Sequence, residues 1–234
     1  MKNLNFSRIQ TLAFAGGGNR CWWQAGLLTQ LQAYGARLPV SLVGTSAGAA
    51  IAASFLAGST ATALQSCQRL YAANAQLLDW RGLTRLQLNF AHQTVYPAWL
   101  AAFVNEDHFK AIQSASSRLL VAVTRPARGL GLAGSVAAGT LAYLLDKKLF
   151  HNIHPALPRF MGLKQAFFDL QDCKTAKEAQ ITLQAAAAAP PFMSGKVPVS
   201  TWDCRPSTTV DDAFALGQDD AKRALANGQI QLSI

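Results

Sequence analysis

The chain is short of charge, and shortest of acid. Only 14% of its 234 residues are charged, and 12 Asp and Glu stand against 21 Lys and Arg. Half of the residues are hydrophobic, which excludes a disordered chain and leaves ample material for a buried core. Its four cysteines, Cys21, Cys67, Cys173 and Cys204, are scattered with no C-x-x-C pair. That spacing excludes a zinc site and a disulfide framework and suits a reducing, cytoplasmic compartment. Long basic runs are missing too: none exceeds Lys147-Lys148. A dedicated nucleic-acid arm is therefore excluded, and the net charge of +9 reads as a diffuse attraction to an anionic, peripheral membrane surface.

No apolar run is long enough for a bilayer. The longest, Gly129–Leu145, has 17 residues, is rich in Gly and Ala, and stops at Asp146-Lys147-Lys148. A spanning helix needs roughly 20 apolar residues, so this segment reads as a buried helix or hairpin. The apolar run Thr11–Ala15 breaks at three glycines and is too short for the core of a signal peptide.

What is present is an alternation of strand and helix. Arg8–Ala15 reads as a strand, Trp22–Tyr34 as a helix with Trp23, Leu27, Leu28 and Leu31 at helical spacing, and Pro39–Val43 as a second strand. Ser46–Leu56 follows as an Ala-rich helix, and such alternation signals a parallel sheet covered by helices. Further on, Ala61–Leu78 and Tyr96–Phe109 read as helices and Arg118–Val123 as a buried strand. Thr175–Ala189 is a helix stopped by Pro190-Pro191, Lys196–Trp202 another strand, and Val210–Ala226 a closing helix. A single α/β domain over residues 1–234 accounts for the chain.

Between the second strand and its helix stands Gly44-Thr45-Ser46-Ala47-Gly48, a G-x-S-x-G pattern. In a strand-turn-helix setting this is a nucleophile elbow, in which the serine Oγ stands clear at the sheet's carboxyl edge above a helix N-terminus. Alone the pattern is weak. Its setting makes Ser46 the candidate nucleophile and Gly44 and Gly48 the residues that let backbone pass close. A second glycine cluster, Gly16-Gly17-Gly18-Asn19-Arg20, joins the first strand to the first helix and points its amides at the same edge, as an oxyanion hole requires. The rival, a dinucleotide-binding loop, fails because its third glycine position holds Cys21 and no acid precedes Asp79 to take the ribose.

"FAGGGNRCWWQAGLL" followed by "LVGTSAGAAIAA" resembles the patatin-like phospholipase family. The resemblance implies a three-layer α/β fold, with a mostly parallel central sheet flanked by helices. It also implies serine acyl-ester hydrolysis of lipids by a Ser–Asp dyad, and because the sequence shows no metal-ligating cluster, no cofactor is expected. On that basis residues 6–58 hold the oxyanion loop and elbow, 59–190 a mainly helical middle, and 191–234 a C-terminal strand and helix. Gly16, Gly17, Gly18 and Asn19 would form the oxyanion hole, and Arg20 would attract a phosphate or carboxylate or lie exposed. Cys21 replaces a glycine of the family loop, and a positive φ there would be costly.

The base is the open question. His92, His108, His151 and His154 include none in the last 80 residues, which disfavours a Ser-Asp-His triad. The dyad's Asp belongs to a D-G-[GA] motif, and the sequence has no Asp-Gly dipeptide. Asp203-Cys204-Arg205 is the nearest candidate in order and spacing, with Asp203 as base. Alternatively "VPVSTW" and the helix after it are the family's last elements. The motif has then been lost between Phe192 and Val197, which leaves a catalytically impaired protein that binds lipid or a partner. Asp211 and Asp212, at a helix N-terminus, read as dipole partners.

Overall fold

The structure, a computed structural model, describes residues 4–74, 78–79, 89–125, 129, 134, 138, 141, 145, 164–187 and 203–232. Its strands are β1 (Leu4–Asn5), β2 (Thr11–Phe14), β3 (Ser41–Thr45), β4 (Leu78–Asp79), β5 (Asn89–Phe90), β6 (Arg118–Arg125), β7 (Lys164–Asp169) and β8 (Ile230–Gln231). Its helices are α1 (Cys21–Ala33), α2 (Ala47–Leu56), α3 (Thr60–Ala73), α4 (Ala91–Phe103), α5 (Glu106–Ser114), α6 (Ala176–Ala187) and α7 (Val210–Ala226). None of the described helices is long and apolar enough to cross a membrane.

The central sheet runs β2-β3-β6-β7. β2, β3 and β6 are parallel, with Phe14 opposite Gly44 and Gly44 opposite Val121, and β7 closes the edge antiparallel to β6. Helices flank this mostly parallel sheet, as the alternation of elements predicts. The short strands β1 and β8 pair in parallel and bring the two ends of the chain together.

α2 is the innermost helix, with all ten residues buried. Its run Ala47-Gly48-Ala49-Ala50 has small side chains that bring the helix close to the strands. α1 packs against α7 backbone to backbone at two glycines: a Cβ on Gly26 would lie 1.8 Å from the Phe214 carbonyl oxygen, and one on Gly217 2.0 Å from that of Trp23. Trp23 Nε1 donates to Asp220 Oδ2 (2.7 Å) across the same seam.

The expected helix Tyr96–Phe109 is two helices. Asn105 interrupts it, its side chain accepting from the His108 amide (3.0 Å) as the N-cap of α5. β7 was not expected. Adjacent Phe167 and Phe168 are both exposed, so the strand lacks the alternation that marks a half-buried one. The expected strand Lys196–Trp202, Pro190-Pro191, Asp146, His151 and His154 lie outside the described residues, as does most of Gly129–Leu145.

Candidate active site

Because β2 and β3 are parallel neighbours, the turns leaving Phe14 and Thr45 emerge at one edge of the sheet. Ser46 is the turn between β3 and α2. Its backbone, at φ 50° and ψ −136°, is the only positive φ outside glycine among the described residues. A side chain pays to sit there, and such strain gathers at functional positions. Ser46 itself is half-buried, and the flanking residues show why the turn needs glycine. A Cβ on Gly48 would lie 2.5 Å from the Ala15 carbonyl oxygen, and one on Gly44 2.4 Å from Ala49 Cα.

The glycine loop lies directly against this turn. A Cβ on Gly16 would come within 3.0 Å of Ser46 Cβ, and the Gly16 amide donates to Thr45 Oγ1 (2.9 Å). That amide is therefore committed to holding the loop on the elbow. Gly18, at φ 55°, turns the chain into a short 3-10 segment, Gly18–Arg20, that leads into α1. Cys21 adopts φ −65°, inside the ordinary right-handed region, so the feared backbone cost of replacing glycine does not arise. Its sulfur is buried and donates to the Ala15 carbonyl (3.3 Å), and burial pushes its pKa up to about 12 against the pull of the Gly17 amide.

Asn19 is buried, with both ends of its side-chain amide bonded. Its Nδ2 donates to the Asp203 carbonyl (2.7 Å), and its Oδ1 accepts from the Tyr71 hydroxyl (2.5 Å). Asn74 Nδ2 donates in turn to the Cys204 carbonyl (2.9 Å). The main chain of Asp203-Cys204 is thus stitched to the glycine loop and to α3. Neither Tyr71 nor Asn74 carries a sequence signal for this role, since they act across 52 and 130 residues.

The Asp203 side chain is occupied elsewhere. Its Oδ1 accepts from the Arg205 amide and Nε (3.0 Å each), and its Oδ2 from Arg205 Nη2 (2.9 Å). This fork, above all, holds its pKa down to about 2. Ser46 and Asp203 share no hydrogen bond. The carboxylate's depressed pKa contributes stability that is present above about pH 4 and is lost as pH falls toward 2. Urea midpoints measured through that window are expected to fall less steeply for Asp203→Asn than for the wild type; equal slopes would show that the fork does not bear on stability.

A pocket opens beneath Ser46, with about 690 Å³ of empty space including its mouth. Its lining includes Gly18, Asn19, Ser46, Trp22, Tyr96 and Trp99. The ring centroids of Trp22 and Tyr96 lie 5.7 and 5.6 Å from that of Trp99, whose Nε1 donates to the Ala63 carbonyl (2.8 Å). Trp22 therefore belongs to the pocket wall, whereas Trp23 belongs to the α1–α7 seam. Arg20 is half-buried and is not part of the lining. Asp211 and Asp212 sit in the first turn of α7, where Gln68 Nε2 donates to Asp211 Oδ1 (2.5 Å). Among the described residues no cluster of three or more His, Cys, Asp or Glu is placed to hold a metal.

The family model of patatin-like phospholipases matches residues 12–214. The chain belongs to that family. The match begins in β2 and ends in α7, so it takes in both glycine turns, the pocket and the Asp203 segment. Patatin-like proteins are lipid acyl hydrolases, and the mostly parallel sheet with helical cover is the family's fold. No curated protein and no solved structure matches the chain.

Proposed function

We propose that this patatin-like protein hydrolyses an acyl ester of a lipid through Ser46. The observation that supports this most is the strained Ser46 turn, set against Gly16 and lining an apolar pocket. In this reading the Ser46 hydroxyl attacks the ester carbonyl, its proton passes to a base, and the oxyanion settles against loop amides. The donors are the loop amides of Gly17, which must release the Cys21 sulfur, Gly18 and Asn19, while that of Gly16 holds Thr45. The acyl chain lies along Trp22 and Trp99, and water then releases it from the serine.

Asp203 is the candidate base, and to serve it must leave Arg205. While the fork persists, a carboxylate with a pKa near 2 is a weak proton acceptor. That same observation favours a second reading, an impaired relative that keeps the pocket for binding. A fluorophosphonate probe followed by peptide mass spectrometry tests the first: the adduct is expected on Ser46, and an unlabelled Ser46 sinks the hydrolase. With p-nitrophenyl esters, Asp203→Ala is expected to lose about 10²- to 10⁴-fold in turnover. Equal rates in both proteins would remove Asp203 from the mechanism, and no turnover in either would favour the binding reading.

The four cysteines are all free and buried, which supports a reducing, cytoplasmic setting. The charge of +9 supports peripheral attachment to anionic lipid. Cosedimentation with phosphatidylserine vesicles is expected to weaken as salt rises; binding to neutral vesicles alone would contradict that.

A further inference from the structure

The contact between Asp203 and Arg205 has to break before the proposed chemistry can begin. The main chain around it is held in place. The Asp203 and Cys204 carbonyls accept from Asn19 (2.7 Å) and Asn74 (2.9 Å), and the Arg205 carbonyl accepts from the Thr208 amide (3.0 Å). The two side chains can part without moving that backbone. Cys204, the residue between them, lines the same pocket as Ser46.

The partners are not equally open to solvent. The Arg205 side chain is 48% exposed and that of Asp203 15%. An incoming solute therefore meets the guanidinium first. Among the described residues, Asp203 is the acid that Arg205 pairs with. A guanidinium bonds a phosphate through the same two parallel N–H groups that it gives a carboxylate. Exchanging one for the other costs Arg205 no hydrogen bond, and a neutral ester offers it no such partner. For Asp203 the exchange changes more. The guanidinium is the main cause of its low pKa, and partial burial already works the other way. Released from Arg205, the carboxylate is a stronger proton acceptor.

We infer that Arg205 is an anion-operated latch on the base: a phosphate oxyanion, on a lipid headgroup or free in solution, takes the guanidinium and releases the Asp203 carboxylate for Ser46. This rests on the proposed hydrolase with Asp203 as its base. The released carboxylate takes the Ser46 proton as Oγ bonds to the ester carbon. It gives that proton to the leaving alcohol as the ester C–O bond breaks. Without an anion the fork stays closed and turnover is slow. Arg205 acts through Asp203, as a positioning residue.

The expected signature is a variant that gains activity. Release of hexanoic acid is measured from dihexanoylglycerol, which has no phosphate, and from dihexanoylphosphatidylglycerol. The glyceride is assayed again with inorganic phosphate against chloride of equal ionic strength. Wild type is expected to cleave the phospholipid about tenfold faster than the glyceride. Arg205→Ala is expected to cleave the glyceride about tenfold faster than wild type does, bringing the ratio to about one, and adding Asp203→Ala is expected to abolish that gain. Acceleration of the glyceride by inorganic phosphate assigns the latch to phosphate from either source; a gain confined to the phospholipid assigns it to the headgroup. A gain from neither, an Arg205→Ala protein no faster than wild type on the glyceride, or a gain that survives Asp203→Ala overturns the inference. Should Arg205→Ala fold poorly, Arg205→Gln supplies the same comparison without the charge. Fluorophosphonate labelling of wild-type Ser46 separates the two failures. Labelling without any effect of phosphate or of Arg205→Ala leaves the hydrolase standing and removes the latch; no labelling and no turnover of either lipid removes both.

Discussion

A Ser46→Gly variant is expected to melt above the wild type while turning over no ester. Ser46 holds φ 50° and ψ −136°, a conformation that side chains avoid and glycine does not. Such a residue costs about 1–3 kcal/mol. Glycine removes that strain and gives back about 0.5–1 kcal/mol through the greater freedom of the unfolded chain. The net gain is about 1 kcal/mol, which for a chain of this size is roughly 2–4 °C. Ser46→Ala is the control. It keeps the strain and removes only the hydroxyl, so its melting temperature should match the wild type while turnover falls by about 10⁶-fold, the loss typical of a deleted serine nucleophile. Differential scanning fluorimetry and p-nitrophenyl ester assays on the three proteins separate the effects. A Ser46→Gly protein that melts at or below Ser46→Ala would show that the turn is not strained. Wild-type-like turnover in Ser46→Ala would show that the strain serves something other than nucleophilic attack.

The pair of tight turns is the part of the molecule most legible in the sequence, because each is local. G-x-S-x-G and the triple glycine each announce a tight turn after an apolar run, and parallel pairing of two consecutive strands brings both turns to one edge. α7 was legible for a similar reason. Asp211 and Asp212 open it, Asn227-Gly228 closes it, and the structure bounds it at Val210–Ala226. Long-range relations were not legible. That Asn19 would spend its side chain on Tyr71 and the Asp203 carbonyl depends on folding together residues 52 and 184 positions away. Asp203 shows the limit most clearly. Its order in the chain suggested the base, and its segment does reach the glycine loop, but by main chain. Its carboxylate turns to Arg205. No pattern of spacing says which of two nearby partners a side chain will take.

The second large effect is expected far from the serine, at Gly26. A Cβ there would lie 1.8 Å from the Phe214 carbonyl oxygen and 2.7 Å from its carbon, and neither can move without moving α7. Gly26→Ala therefore forces the two helices apart along a seam already closed by Trp23 Nε1 on Asp220. Overpacking of this kind, against backbone, is expected to cost about 3 kcal/mol, or roughly 10 °C in melting temperature. Gly217 meets the Trp23 carbonyl at 2.0 Å from the other side, so once one alanine has opened the seam the second has less to displace. Gly26→Ala with Gly217→Ala should thus cost less than the sum of the singles. The site feels the same movement, because α1 continues directly from the 3-10 turn that carries Gly18 and Asn19. At temperatures where Gly26→Ala remains folded, fluorophosphonate labelling of Ser46 is expected to slow as the loop is drawn off the elbow. Full additivity, or a melting temperature within a degree or two of wild type, would mean that the helices can part freely. The glycine loop would then owe its position to Thr45 and Asn19 alone.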